Sequence, residues 1–446
     1  MALIGFALGL ATTIVAVALL AGSVFFLVEV VGAFWGAFLA VRRAREMSPS
    51  LEGGAEMMGN LSVSVIIPAH NEETSLGATL QNVQAQVSPS DRVLVVADNC
   101  SDKTASLARA AGVGVVERFD ETRRGKGYAL QFALDHLRAE PPDIVLFLDA
   151  DCQMAPGGLN ALRAAVRREG GPVQALYLMN AANAAPKQAV AAFAWRLMNA
   201  VRMRGLDHLF GVTRVTGAGF ALPWRLASEL DLASGEIVED LALTIDLVQK
   251  RAAPRLAPEA VVTSVFPSGE RAMAHQRARW EHGSLRLAGR FAGPLIFDGL
   301  RRGDLRAVAL GADLAIPPIT VFLAVQGFVI VAALIAAGAL GVVFGASDAA
   351  HTLFNAARLA FYASVITGLA ILMAWVGFGR EVLPAAKLGA VGAFFLSKAR
   401  VYGADARAST QKWTRTDRSE NGSQRAATAS NPTMSKNDER SGGGRS

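Results

Sequence analysis

The sequence reads as a doubly wound α/β domain inserted between transmembrane helices: one helix before it, about two after it, and an interfacial helix beyond them. Three observations lead there. Long, nearly charge-free stretches lie at both ends of the chain. The segment between them alternates strand-like apolar runs with amphipathic helical ones. Polar residues gather just after the strand-like runs rather than inside them.

Of 446 residues, 52% are hydrophobic, and the excess is concentrated. From Met1 to Val41 the only charged side chain is Glu29, and two further apolar runs cover roughly Leu314 to Phe344 and Leu353 to Phe378. Each exceeds the ~20 residues that a helix needs to cross a ~30 Å hydrocarbon core. The first is too long for a cleaved signal peptide, and no basic residue precedes it. Arg42, Arg43 and Arg45 follow the first run, Arg301, Arg302 and Arg306 precede the second, and Lys387, Lys398 and Arg400 follow the third. The connector Gly345 to Thr352 holds no Lys or Arg. The positive-inside rule therefore predicts a multi-pass cell-membrane protein with its central domain and C-terminus in the cytoplasm. The expected division is a helix over 1–45, a linker over 46–61, the α/β domain over 62–303, transmembrane and interfacial helices over 304–403, and a disordered basic tail over 404–446.

The net charge of +6 suits membrane lipids as partners. Aromatic and basic residues are not interleaved as a nucleic-acid surface requires, so no nucleic acid is expected. Cys100 and Cys152 form no CxxC pair, and no HExxH is present, which argues against a disulfide framework or a zinc site.

Within the central segment, "SVSVIIPA" (62–69), "DRVLVVAD" (91–98), "VGVVERF" (113–119) and "DIVLFLDA" (143–150) read as strands. Helices are expected over Glu73 to Gln86, Asp102 to Ala111 and Lys126 to Arg138. Continuous apolar runs mark strands of a parallel sheet covered on both faces. In such sheets ligands bind beyond the carboxyl ends of the strands. The polar residues there are His70-Asn71-Glu72, Asp98-Asn99, Arg123 to Lys126, and Asp149-Ala150-Asp151.

Two carboxylates at a strand end, with no Cys or His cluster nearby, suit a hard divalent cation such as Mg²⁺ or Mn²⁺. Alone, an Asp-x-Asp is more often a cap or a solvated acid. "RRGKGY" (123–128) lacks the P-loop spacing, "TGAGFAL" (216–222) lacks GxGxxG, and "DNCSDKT" (98–104) fails as a calcium loop because Lys103 and Arg109 stand where Gly and Glu are needed. Glu239 and Asp240 open an amphipathic helix, where acids are favourable dipole partners. "HQRARW" (275–280) taken alone is a surface helix near the membrane.

In sequence order, PAHNEE, ADNCSD, RRGKG, DAD, TGAGFAL, ED and QRARW, flanked by apolar spans, resemble the inverting family 2 glycosyltransferases. These are the membrane-bound group that includes cellulose, hyaluronan and chitin synthases, and the resemblance covers roughly residues 62–290 and, more loosely, the spans and "KWTRTDR" (412–418). It implies a GT-A nucleotide-sugar domain and a nucleotide-sugar donor, expected to be a UDP-sugar. Pro68, Ala69, Asn71, Glu72 and Asp98 would hold base and ribose, and Lys126 the phosphates. Asp149 and Asp151 would form the metal motif, with Asp151 as direct ligand to Mg²⁺ or Mn²⁺. Gly217 would be a substrate-binding position, Asp240 the general base and Glu239 its neighbour. Gln276, Arg279 and Trp280 match QxxRW, near diphosphate and acceptor. Ala97 departs from the family's first acid, and Val238 from the Thr of its TED-like motif.

The implied acceptor is a polysaccharide or a membrane lipid. Three spans leave no pore of sugar width, so an exported polymer would require an oligomer or an export partner. Two other readings compete: a metal-dependent nucleotidyltransferase, which needs neither the later base nor QxxRW, and a non-catalytic scaffold, which would not need to keep Asp151, Asp240, Gln276, Arg279 and Trp280.

Overall fold

The computed structural model describes residues 2–46, 61–180, 185–233, 238–266, 270–344 and 347–398. The expected linker falls almost wholly outside these residues, and so do the tail and "KWTRTDR".

The chain opens with α1 (Ala2–Glu46), apolar on all sides. At ~1.5 Å per residue it is roughly 68 Å long, about twice the hydrocarbon thickness. The α/β part follows as β1 (Val63–Ala69), α2 (Leu76–Gln84), β2 (Arg92–Asp98), α3 (Thr104–Ala110), β3 (Gly114–Arg118), α4 (Lys126–Leu137) and β4 (Ile144–Phe147). These match the expected elements within a few residues at each end. The fourth strand ends early, since Leu148 still bonds to Ile66 but the chain then turns through the two acids.

Past β4 the sequence reading was incomplete. β5 (Gln153–Met154), α5 (Gly158–Glu169), β6 (Val173–Met179), α6 (Pro186–Arg196), a π-helical turn (Leu197–Arg202), α7 (Met203–Phe210), β7 (Phe220–Pro223), α8 (Trp224–Ala227), α9 (Glu239–Gln249) and β8 (Arg255–Ser264) complete an eight-stranded sheet. Its order is β3-β2-β1-β4-β7-β6-β8-β5. The four strands expected to be parallel are so, and the sheet beyond them is mixed. β1, β2, β3 and β4 pair in parallel, but β7 runs antiparallel to both β4 and β6. The connectivity explains the reversal. The chain leaves β6 at its carboxyl end, builds α6 and α7 there, and re-enters the sheet from that same end as β7.

Apolar side chains cover both sheet faces. Val65, Ile67 and Leu146 pack on one side, and Ile66, Val145 and Phe147 on the other, all essentially buried. Burying a side chain of this kind contributes roughly 1.5–3 kcal/mol.

The last third is helical: α10 (Glu270–Arg302), α11 (Leu305–Ala315), α12 (Ile319–Phe344), α13 (Asp348–Ala374) and α14 (Ala390–Lys398). Among the described residues, three helices are long and apolar enough to cross a membrane, over Gly5–Ala40, Ile319–Val343 and Asp348–Gly379. A buried polar clasp joins them, in which Gln326 donates to Ser23 (3.0 Å) and Thr367 (3.1 Å). Such small polar contacts hold helices together where lipid offers no hydrophobic driving force. In the region expected to hold an interfacial helix, a turn at Ala385–Lys387 precedes α14, which packs on α6.

The α/β part is fixed to α1 at one close crossing. A Cβ built on Gly205 of α7 would lie 1.8 Å from the Glu29 carbonyl oxygen, so only glycine lets the two backbones meet. Beside it, buried Arg202 bonds Glu29 (2.6 Å) and Asp313 of α11 (2.6 Å), and Arg214 also pairs with Asp313. Glu29, given no role by the sequence, is thus half of a buried ion pair at the junction of three elements.

Candidate active site

One cavity of about 1010 Å³ lies at the carboxyl edge of the sheet. It is lined by Pro68, Ala69, Glu72, Asp98, Lys126, Asp149, Asp151, Gly217, Glu239, Asp240, Arg279 and Trp280. Asn71 is not among the lining residues. At φ 55° it turns back, and its side-chain oxygen accepts from the Ser101 N–H (2.8 Å), tying the β1–α2 loop to the β2–α3 loop. The Gln276 side chain lies outside the described residues.

The sheet edge builds the site from several loops. After β1, His70 Nδ1 lies 2.7 Å from the Asp98 carbonyl oxygen. After β2, the Asp98 carboxylate receives Arg118 Nη1 at 2.6 Å and Asn99 Nδ2 at 3.1 Å, so its orientation is set from two sides. The other arm of Arg118 donates to the Arg123 carbonyl (2.6 Å) and holds the loop that leads into α4.

Lys126, the first residue of α4, stands at the centre. Its ammonium pairs with Asp149 and donates to the Gly217 carbonyl at 2.7 Å. Gly217 has φ +81°, and a Cβ there would meet Lys126 Nζ at 3.4 Å and Asp240 Oδ2 at 3.6 Å. A side chain would be strained and would crowd both groups. Burial alone would depress Lys126, but Asp149 first, then Glu239 and Asp240, outweigh it and hold the ammonium above the ordinary lysine range.

Glu239 and Asp240 start α9, where the helix dipole favours negative charge. Burial nevertheless pushes Glu239 up to about 7, the neighbouring Asp240 charge adding to it and Lys126 opposing it. Burial likewise raises Asp240, against the Leu241 N–H (2.8 Å) and Lys126. Carboxyls poised in this way are suited to taking up a proton.

Asp151 is 6% exposed, with the Ser264 hydroxyl donating to one oxygen at 2.9 Å and the Cys152 thiol approaching the other at 3.7 Å. Asp149, Asp151 and Cys152 place potential ligand atoms within 4.8 Å of one another. Burial, then the charges of Asp151 and Asp149, push the Cys152 thiol well up, so the oxygens are the available donors. That donor set fits a hard divalent cation. An aromatic chain also lines the cavity: Trp280 lies 5.2 Å from Trp195, and Trp195 lies 5.4 Å edge-on to Tyr177.

Sequence reasoning missed Tyr177, Trp195, Ser264, Arg202 and Arg214, all of which line the cavity. Ser264 ends β8, and the strand-end rule that singled out Asp149 would have found it had β8 been read. Trp195 carried no local signal.

A family model described as glycosyltransferase-like family 2 matches residues 60–283, half of the chain. The chain belongs to glycosyltransferase-like family 2. The matched residues of this family 2 chain form the α/β domain with its mixed sheet. It is 32% identical over 108 residues to an uncharacterized protein of Methanocaldococcus jannaschii, covering 24% of this chain and 43% of that protein. It is 36% identical over 93 residues to a 4,4'-diaponeurosporenoate glycosyltransferase of Staphylococcus aureus, covering 20% and 24%. The chain thus spans less than half the length of these curated relatives. Among solved structures, it is similar to a mannosyltransferase from Pyrobaculum calidifontis in complex with GDP-Man and Mn²⁺, with TM-score 0.39, 19% identity and coverage of 78% and 98%. It is also similar to glucosyl-3-phosphoglycerate synthase from Mycobacterium tuberculosis in complex with UDP, with TM-score 0.35, 21% identity and coverage of 49% and 76%.

Proposed function

We propose that this family 2 member is a membrane-bound inverting glycosyltransferase of the multi-pass, cellulose/hyaluronan/chitin-synthase-like group. It transfers a hexosyl or N-acetylhexosaminyl unit from a nucleotide sugar, with a UDP-sugar the expected donor, to a polysaccharide or lipid acceptor at the cytoplasmic membrane face. The domain divisions given above stand as part of this proposal. The observation that carries it is the gathering of Asp149, Asp151, Lys126, Asp240, Arg279 and Trp280 around one cavity.

Each residue then has a distinct task. Asp240 takes the proton from the acceptor hydroxyl as that oxygen attacks the anomeric carbon. Glu239 stands beside it as the second carboxyl of the pair, and burial first, then the Asp149 charge, raise the basicity of Asp240. Lys126 and Arg279 face the leaving diphosphate with positive charge. Trp280 offers an apolar face to the sugar ring. Asp98, oriented by Arg118, faces the nucleoside. Asp149 and Asp151 would hold Mg²⁺ or Mn²⁺, which when bound neutralises charge on the leaving diphosphate.

Two variants separate these roles. Asp151→Ala should lose metal-dependent donor binding. Asp240→Asn should keep donor binding while transfer falls by at least ~10²-fold. Parent-rate transfer by Asp240→Asn would mean that another residue takes the proton.

A further inference from the structure

The cavity does not end at the acids. The same continuous space reaches Met198 on the π-helical turn, Pro317 and Pro318 between α11 and α12, Ile319 where the second span begins, and Phe394 on α14. We propose that the acceptor is a membrane lipid bearing a free hydroxyl, which enters from the hydrocarbon side at Pro318 and Ile319 and presents its headgroup to Asp240. The proposal rests on the transferase reading above.

Size supports two occupants. A volume of about 1010 Å³ lies at the top of the roughly 300–1,000 Å³ found for single-ligand pockets, so space remains beside a nucleotide sugar. The helices beside this lining also break, between α11 and α12. Ile316 is extended (φ −85°, ψ 109°), and the two prolines after it lack N–H groups, so α11 cannot continue into α12. The resulting break sits at the first residue of a membrane span.

The lining carries both characters that an amphipath requires. The acids and Lys126 lie at the sheet edge. Arg202 and Arg214 also line the space, their charges balanced by Glu29 and Asp313. Met198, Ile319 and Phe394 give it apolar surface. Among the described residues, the three spans offer a hydrated polymer no comparable route. Ser23, Gln326 and Thr367 close on one another between the helices and are fully buried, and a sugar chain there would lose its hydrogen bonds.

The test uses the full-length protein in vesicles made from the total lipid of the source cells, with source-cell polysaccharide in the buffer. Radiolabelled UDP-glucose, UDP-N-acetylglucosamine and GDP-mannose serve as donors. Label should appear in the organic phase as a low-molecular-weight glycolipid. Ile319→Trp narrows the entrance and should lower that product by at least ~10-fold, the scale of a misfit in an apolar pocket. Its donor binding, measured by calorimetry, should stay within a factor of about two of the parent, which also shows that the variant folds. Val342→Trp, 88% exposed on the same helix and outside the cavity, should match the parent. Label found only in water-soluble or ethanol-insoluble glycan would overturn the lipid acceptor and leave the transferase intact. Undiminished lipid product from Ile319→Trp would overturn the entrance. No donor turnover with any acceptor would instead remove the transferase reading beneath it.

Discussion

Replacing Arg202 by Met tests how the sheet domain is fixed to the first membrane helix. Arg202 is 3% exposed and bridges Glu29, 0% exposed, and Asp313, 1% exposed. Removing one partner of a buried ion pair costs ~3–5 kcal/mol, because the other charge is left without compensation. Two carboxylates lose this guanidinium, but Asp313 keeps Arg214, so Glu29 carries most of the loss. The expected cost is therefore one such penalty, about 3–5 kcal/mol, rather than two. Met keeps the length of the apolar stem, so lost packing adds little. Unfolding in bicelles by titration with sodium dodecyl sulfate measures the difference. The double variant Glu29→Leu/Arg202→Met removes both charges and should regain most of the loss, since well-packed apolar replacements of buried pairs are often neutral. An Arg202→Met protein as stable as the parent, or a double variant as unstable as the two single losses added together, would refute the reasoning.

Two further outcomes follow from the same geometry. Gly205→Ala drives a Cβ onto the Glu29 carbonyl oxygen, and neither backbone can yield, so it should destabilise by at least ~2 kcal/mol. Gly32→Ala meets mainly the movable end of Leu209 and should cost less in the same titration; equal costs would deny the close crossing. The base must be deprotonated, and burial raises both Asp240 and Glu239, the latter to about 7. Transfer should therefore fall as pH drops through a limb above the ~4 of an ordinary carboxyl. A limb at or below the ~4 of an ordinary carboxyl would contradict the raised base.

Much of this was legible because the first half of the sheet is local. β1, β2, β3 and β4 are continuous apolar runs joined by short helices, and their polar ends converge by a topological rule. Gly217, Glu239, Asp240, Arg279 and Trp280 were placed by motif order, and they line the same cavity as Lys126 and Asp149. The second half was not legible for a physical reason. β7 is four residues long, and its direction depends on the excursion through α6 and α7 to α1, a long-range arrangement with no periodicity to mark it. Glu29 shows the same limit. Its spacing within an apolar helix gives no hint of Arg202, 173 residues away in sequence. Asn71 was expected at the nucleotide, yet its side chain ties two loops together.

The central claim is sugar transfer from a nucleoside diphosphate with inversion, and its products test it most directly. The purified protein in vesicles is given an α-linked nucleotide sugar with Mg²⁺ or Mn²⁺ and source-cell lipid and polysaccharide. The released nucleotide is then separated and the anomeric configuration of the product is read by nuclear magnetic resonance. The account predicts free nucleoside diphosphate in step with a β-linked product, both lost in Asp240→Asn. Release of pyrophosphate would point to nucleotidyl transfer, and an α-linked product would remove Asp240 from its role as the base of an inverting reaction.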